Sequence, residues 1–178
     1  MNIFISGGCK NGKSYYAQRR AKDMASELGV PLYYVATMIP RDEEDHRRIK
    51  RHISERAGWG FETIEQGKAL TEILHDDSID KSGVFLLDSV TALLDNEMFG
   101  GSGETDETAA DRVKRDVLAF AEATGNTVFV SDYIYSDAEL YDESVESYRR
   151  GLAAVDRALA EICDQVMEIG FGIEERWK

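Results

Sequence analysis

Residues 7–14 read GGCKNGKS, a match to G-x-x-x-x-G-K-[ST]. That spacing suits phosphate binding. Gly7 and Gly12 allow loop dihedrals that side chains obstruct. Backbone N–H groups through Gly8, Cys9, Lys10, Asn11 and Gly12 can then turn inward on an anion, backed by the positive end of the helix that follows. Lys13 is placed to reach the β- and γ-phosphates of a nucleoside triphosphate, and the Ser14 hydroxyl to ligate Mg²⁺. Lys13 is expected to face solvent. A phosphate-loop enzyme also needs an acid at the end of an apolar strand to support the metal. Two strands offer one: residues 84–88 end in Asp88, and residues 127–132 reach Asp132 one position past Ser131. Asp88 is the preferred metal acid because it ends its strand directly, and the other acid is left as a helix cap or loop residue.

The elements that position these residues are legible in outline. Residues 2–6 (NIFIS) form a short apolar strand before the loop, and residues 15–28 a helix after it. Residues 31–37 (PLYYVAT), 61–65 (FETIE), 83–88 (GVFLLD), 127–131 (TVFVS) and 165–169 read as further strands. Between them, residues 42–55, 69–75, 90–99, 109–124 and 142–162 read as helices. The last carries an apolar stripe of Val145, Tyr148, Leu152, Val155, Leu159 and Ile162 at helical spacing. The helix over 109–124 turns Val113, Val117, Phe120 and Ala121 to one side. Residues 100–108 (GGSGETDET) read as a flexible loop. Strands alternating with helices predict an α/β fold with a mostly parallel central sheet and helices on both faces. Ligands on such sheets bind at the carboxyl ends of the strands. The loop, Ala36, Thr37, Met38, Asp88, Ser131 and Asp132 all lie at such ends and are expected to converge.

The bulk properties narrow the function classes. The chain has 178 residues, enough for one domain spanning 1–178. Its net charge of −13 opposes general attachment to nucleic acid or anionic lipid. No stretch is long and apolar enough for a membrane span, and no signal peptide is evident, so a cytoplasmic location is expected. Two cysteines, Cys9 and Cys163, fit a reducing compartment. Against the acidic background, Arg41, His46, Arg47, Arg48, Lys50, Arg51, His52 and Arg56 cluster in one short stretch. It reads either as a local anion site or as a solvated helix face balanced by Asp42, Glu43, Glu44 and Asp45. The three histidines are not at zinc-ligand spacing, and His46 and His75 read as surface residues.

With these residues in place, the chain resembles the bifunctional adenosylcobinamide kinase/adenosylcobinamide-phosphate guanylyltransferase family. The resemblance rests on I-x-I-S-G-G-x-x-x-G-K-S at the start and on Leu32-Tyr33-Tyr34-Val35-Ala36-Thr37 in the second strand. It continues through Asp42, Glu44, Arg48-Ile49, His52, Arg56 and Trp59, then Thr63-Ile64-Glu65. Leu86-Leu87-Asp88-Ser89-Val90-Thr91, Asn96 and the ending from Asp164 through Gly170-x-Gly172-Ile173 to Lys178 complete it. The resemblance implies a phosphate-loop NTPase-like three-layer sandwich and a covalently guanylylated His52. It implies that Ala36, Thr37, Met38, Arg56, Glu65 and Asp88 complete the nucleotide site. GTP or ATP, a corrinoid acceptor, Mg²⁺ and a homo-oligomer are implied too. The pattern differs where the family has Thr-Asn-Glu-Val-Gly and this chain has Ser131-Asp132-Tyr133-Ile134-Tyr135. It differs again where the family's Gly-x-x-Asn-Gln becomes Ala153-Ala154-Val155-Asp156-Arg157. A kinase-only relative, another small-molecule phosphotransferase, or a nucleotide-binding regulator without turnover are the alternative readings.

Overall fold

The computed structural model describes residues 1–101, 105–135 and 137–178, and the side chains of Arg48 and Glu55 also lie outside the description. The apolar opening forms β1 (Ile3–Gly7), and the loop ends in α1 (Lys13–Leu28). There follow β2 (Leu32–Ala36), α2 (Glu43–Glu55), β3 (Glu62–Glu65), a 3-10 helix (Leu70–His75), β4 (Val84–Asp88) and α3 (Val90–Phe99). The second half is α4 (Ala109–Thr124), β5 (Thr127–Val130), α5 (Glu143–Ile162), β6 (Gln165–Gly170) and β7 (Ile173–Arg176). The strands make one sheet in the order β3-β2-β4-β5-β1-β6-β7, parallel except for β7 against β6.

Alternation along each strand splits the core in two. Ile3, Ile5, Tyr34, Leu86, Val128 and Val130 face α1, which presents Ala17, Ala21, Met24 and Ala25. Small residues on α1 let the helix lie close to the sheet. Phe4, Val35, Phe85, Leu87 and Phe129 face the other way, onto α3, α4 and α5. Each large apolar side chain so buried contributes on the order of 1.5–3 kcal/mol. Together with the helices on either side, this is the expected three-layer architecture.

Three expectations change. The segment at residues 69–75 is a 3-10 helix rather than an α-helix. Ile162 ends the stripe of α5 exposed, because the helix stops there and the chain turns into β6. Strand β7 was not anticipated, since IEER has no apolar run; Phe171 and Gly172 form the tight connection, both at positive φ (55° and 75°). Of the loop over 100–108, residues 102–104 lie outside the described residues. In the remainder, Asp106 accepts from Thr108 and Arg112, which holds its carboxyl well below the usual range, at about 2.

Candidate functional site

The site is built at the carboxyl end of the sheet, where the strands deliver their last residues. β1 brings Gly7 hard against β6, and a methyl at this position would collide with the Ile169 carbonyl. Gly12 takes a left-handed φ of 89° and closes the loop onto α1, where Tyr16 N–H donates to its carbonyl at 3.1 Å. The helices α2 and α5 start with acidic first turns and side-chain caps from Asp42 and Asp142. Helix α1 has neither, so its first N–H groups and positive dipole end are left for an anion.

Lys13 does not face solvent. It is 6% exposed, and its Nζ donates to the Gly8 carbonyl at 3.0 Å and to Asp132 Oδ1 at 2.5 Å. The reason is topological. β5 lies beside β1 in the sheet, so Asp132, just past its end, stands over the loop. Its own N–H donates to Thr91 Oγ1 at 2.9 Å. Asp88 ends β4 on the far side of β5, and its Oδ2 accepts from the Tyr34 hydroxyl at 3.0 Å. Ser14 and Asp88 line the same cavity. A hydroxyl and a nearby carboxylate fit a Mg²⁺ that draws most of its oxygens from water and phosphate.

His52 lies on the last turn of α2, half-buried. It lines three neighbouring cavities. The first, of about 480 Å³, is shared with Ser14, Ala36, Met38, Arg56, Glu65 and Asp88. The second, of about 400 Å³, runs along Lys10, Asn11, Gly12, Lys13 and Ser14. The third, of about 450 Å³, includes Cys9, Arg51, Asp88 and Asp132. The charged helix is therefore one wall of the site, with Arg47 and Arg51 turned to the third cavity. Arg56 is 7% exposed; its guanidinium stacks 3.9 Å from the Tyr34 ring centroid and donates to Thr63 Oγ1 at 3.2 Å.

Some anticipated residues act differently. Thr37 does not line the cavity. It is fully buried, its hydroxyl donating to the Ser89 carbonyl at 2.9 Å and accepting from the Ser89 N–H at 2.7 Å. It thereby fixes the chain after Asp88. Asn96 helps, donating to the carbonyls of Thr37 and Gly67 at 2.7 and 3.0 Å. His46 is exposed, yet it borders the first cavity. His75 is exposed. Cys9 is exposed at the loop; Cys163 is buried, which pushes its thiol up to about 12.

Sequence reading missed Tyr34 and Asp156. Tyr34 links Asp88 to Arg56, and a hydroxyl-bearing ring in the middle of a buried strand was the available signal. Asp156, on α5, is 3% exposed and accepts from the Ser131 and Tyr135 hydroxyls at 3.1 and 3.0 Å. Burial, with the nearby Asp132 charge adding to it, raises its carboxyl to about 7.

The chain is similar over residues 3–176 to the family described as cobinamide kinase / cobinamide phosphate guanyltransferase. It is 33% identical over 106 residues to the bifunctional adenosylcobalamin biosynthesis protein CobU of Escherichia coli K12, a match that spans 60% of this chain and about half (55%) of that relative. It is 29% identical to the bifunctional adenosylcobalamin biosynthesis protein CobP of Pseudomonas aeruginosa, over 93% of this chain and 91% of that one. In fold it is similar to the ATPase domain of G40P (TM-score 0.53, 12% identity, 94% of this chain and 68% of that one). Nearly full-length agreement with the family, on a phosphate-loop NTPase fold, settles the classification: the chain belongs to the cobinamide kinase / cobinamide phosphate guanyltransferase family.

Proposed function

We propose that this protein phosphorylates the aminopropanol hydroxyl of adenosylcobinamide with GTP or ATP, and then transfers GMP from GTP onto that phosphate through His52. The observation that carries the reading is the placement of His52 between the phosphate-binding loop and the cavity walled by Arg56, Glu65 and Asp88. A nucleotide whose phosphates lie in the loop has room beyond them for its base and ribose. In the second reaction a His52 ring nitrogen bonds to the α-phosphorus as pyrophosphate departs with the electron pair of the broken P–O bond. An oxygen of the acceptor phosphate then bonds to the same phosphorus, and the P–N bond returns its electrons to the imidazole. Lys13, the loop N–H groups, Arg51 and Arg56 supply positive potential to the phosphoryl oxygens. Mg²⁺, held by Ser14 with Asp88 behind it, would neutralise phosphate charge. The homo-oligomer that the resemblance implies remains part of the proposal.

The test is the intact mass of the protein after incubation with GTP and Mg²⁺. One added GMP is expected, lost on brief acidification because a phosphoramidate is acid-labile, and absent from His52→Ala. A kinase-only reading is favoured by one observation: Ser131 and Tyr135, at the segment where the family pattern changes, are tied back to Asp156. Corrinoid phosphorylation without any added mass on wild type selects that reading and leaves His52 a binding residue.

A further inference from the structure

We propose that Asp132 is the catalytic residue that takes the proton of the acceptor hydroxyl during phosphoryl transfer; this rests on the kinase reading above. Three observations place it. First, its carboxylate is paired with Lys13 at 2.5 Å, the group that reaches the terminal phosphates. Second, it lines the third cavity with Lys13, Ser14, Asp88 and His52, and its side chain keeps 23% of its surface exposed there. Third, the other acids of that cavity are placed elsewhere: Asp88 is bonded by Tyr34 and lies with Ser14, and Glu44 is exposed on the first turn of α2.

The backbone that carries Asp132 is held by a directed chain. Its N–H donates to Thr91 Oγ1 at 2.9 Å, and Thr91 Oγ1 lies 3.5 Å from Ser131 Oγ. Ser131 in turn donates to Asp156 Oδ2. Asp156 Oδ2 is an acceptor from Ser131 and Tyr135, which orients the Ser131 hydroxyl away from Thr91 and leaves its lone pairs to receive the Thr91 proton. Asp132 therefore stands on a fixed backbone, with only its side chain free to follow Lys13. When the lysine engages phosphate, the carboxylate is left beside the phosphoryl group being transferred.

The step balances as follows. The acceptor oxygen bonds to the γ-phosphorus. The bond from the γ-phosphorus to the β–γ bridging oxygen breaks, and its electron pair leaves with the nucleoside diphosphate. The hydroxyl proton passes to an Asp132 carboxylate oxygen and then to water. GMP transfer to cobinamide phosphate needs no such base, because the attacking phosphate oxygen is already ionised.

That difference gives the test. Asp132→Asn and Asp132→Ser are compared with wild type for phosphorylation of adenosylcobinamide, for GMP transfer to supplied cobinamide phosphate, and for affinity toward a fluorescent GTP analogue. Both variants are expected to slow phosphorylation by about 10²–10⁴-fold, the usual worth of a positioned base. GMP transfer and nucleotide affinity are expected to stay within about fivefold of wild type, because the ion pair is given up when Lys13 engages phosphate and its partly exposed carboxylate competes only weakly for the lysine. Equal losses in phosphorylation and nucleotide affinity would show that Asp132 serves the loop rather than the proton, and unchanged phosphorylation also overturns the assignment. A wild type that phosphorylates no corrinoid overturns the kinase reading itself, and this assignment with it.

Discussion

Lys13 shows how far a motif reaches at the scale of one residue. The type and spacing of residues 7–14 place the phosphate site because covalent order alone sets the loop and the start of α1. They say nothing of Asp132, which is 119 residues away and meets Lys13 only through the sheet. The pair changes what Lys13→Ala should do. Besides abolishing productive triphosphate binding, it leaves a half-buried carboxylate without its partner. A loss of about 1–3 kcal/mol is expected, which for a chain of this size lowers Tm by several degrees. Unchanged Tm would show that the pair contributes nothing to the fold, and wild-type affinity would sink the loop assignment. Thr37 was equally opaque, since a residue at a strand end can point at the ligand or at its neighbour, and only packing decides. Asp88→Asn keeps shape and removes charge, so the Mg²⁺ concentration for half-maximal activity should rise well above wild type, while Asp132→Asn leaves it in place. A Mg²⁺ titration with the reverse ranking moves the metal role to Asp132.

At the scale of elements, buried strands and amphipathic helices were legible, because period and apolar content follow burial directly. Elements defined by their edges were not: β7 is an exposed strand whose partner supplies its stability. Nor could the charged helix α2 be assigned a role by pattern, because its neighbours are loop and cavity rather than core. Helix α5 gives a prediction that pattern could not. Its inward face carries the apolar stripe, yet it also buries Asp156. The carboxyl is raised to about 7 in the folded protein, against about 3.9 when unfolded. Between those values the folded state holds a proton that the unfolded state has released. Stability therefore falls as pH rises through this window and levels off above it. Asp156→Asn keeps an oxygen for Ser131 and Tyr135 and removes the titration. Urea unfolding at about pH 5 and about pH 8 should show the variant gaining on wild type by a few kcal/mol at the higher pH. A pH-independent difference between the two would mean that Asp156 is ionised in the fold.

At the scale of the whole molecule, charge and topology pull in different directions. The net charge of −13 repels anions at long range, whereas the loop, Lys13, Arg47, Arg51 and Arg56 attract them at one end of the sheet. Screening at physiological salt confines each field to about 8 Å, so the local cations govern a nucleotide and the global charge governs a polymer that spans the surface. The strands share one sheet, α1 packs through core on one face and α3, α4 and α5 on the other, and the loop is the direct continuation of its β1 strand. Ligand bound at the loop should therefore stabilise the molecule as a unit. At about a hundredfold excess over Kd, GTP with Mg²⁺ contributes about 2.7 kcal/mol, which raises a single unfolding transition by about 5–10 °C. Lys13→Ala should lose the shift. A DNA duplex at equal phosphate concentration should produce none, because it must approach the acidic surface as well as the loop. Two transitions, with GTP moving only one, would divide the chain into separate units. A shift from DNA as large as that from GTP would show that the cationic cluster, rather than the loop geometry, does the binding.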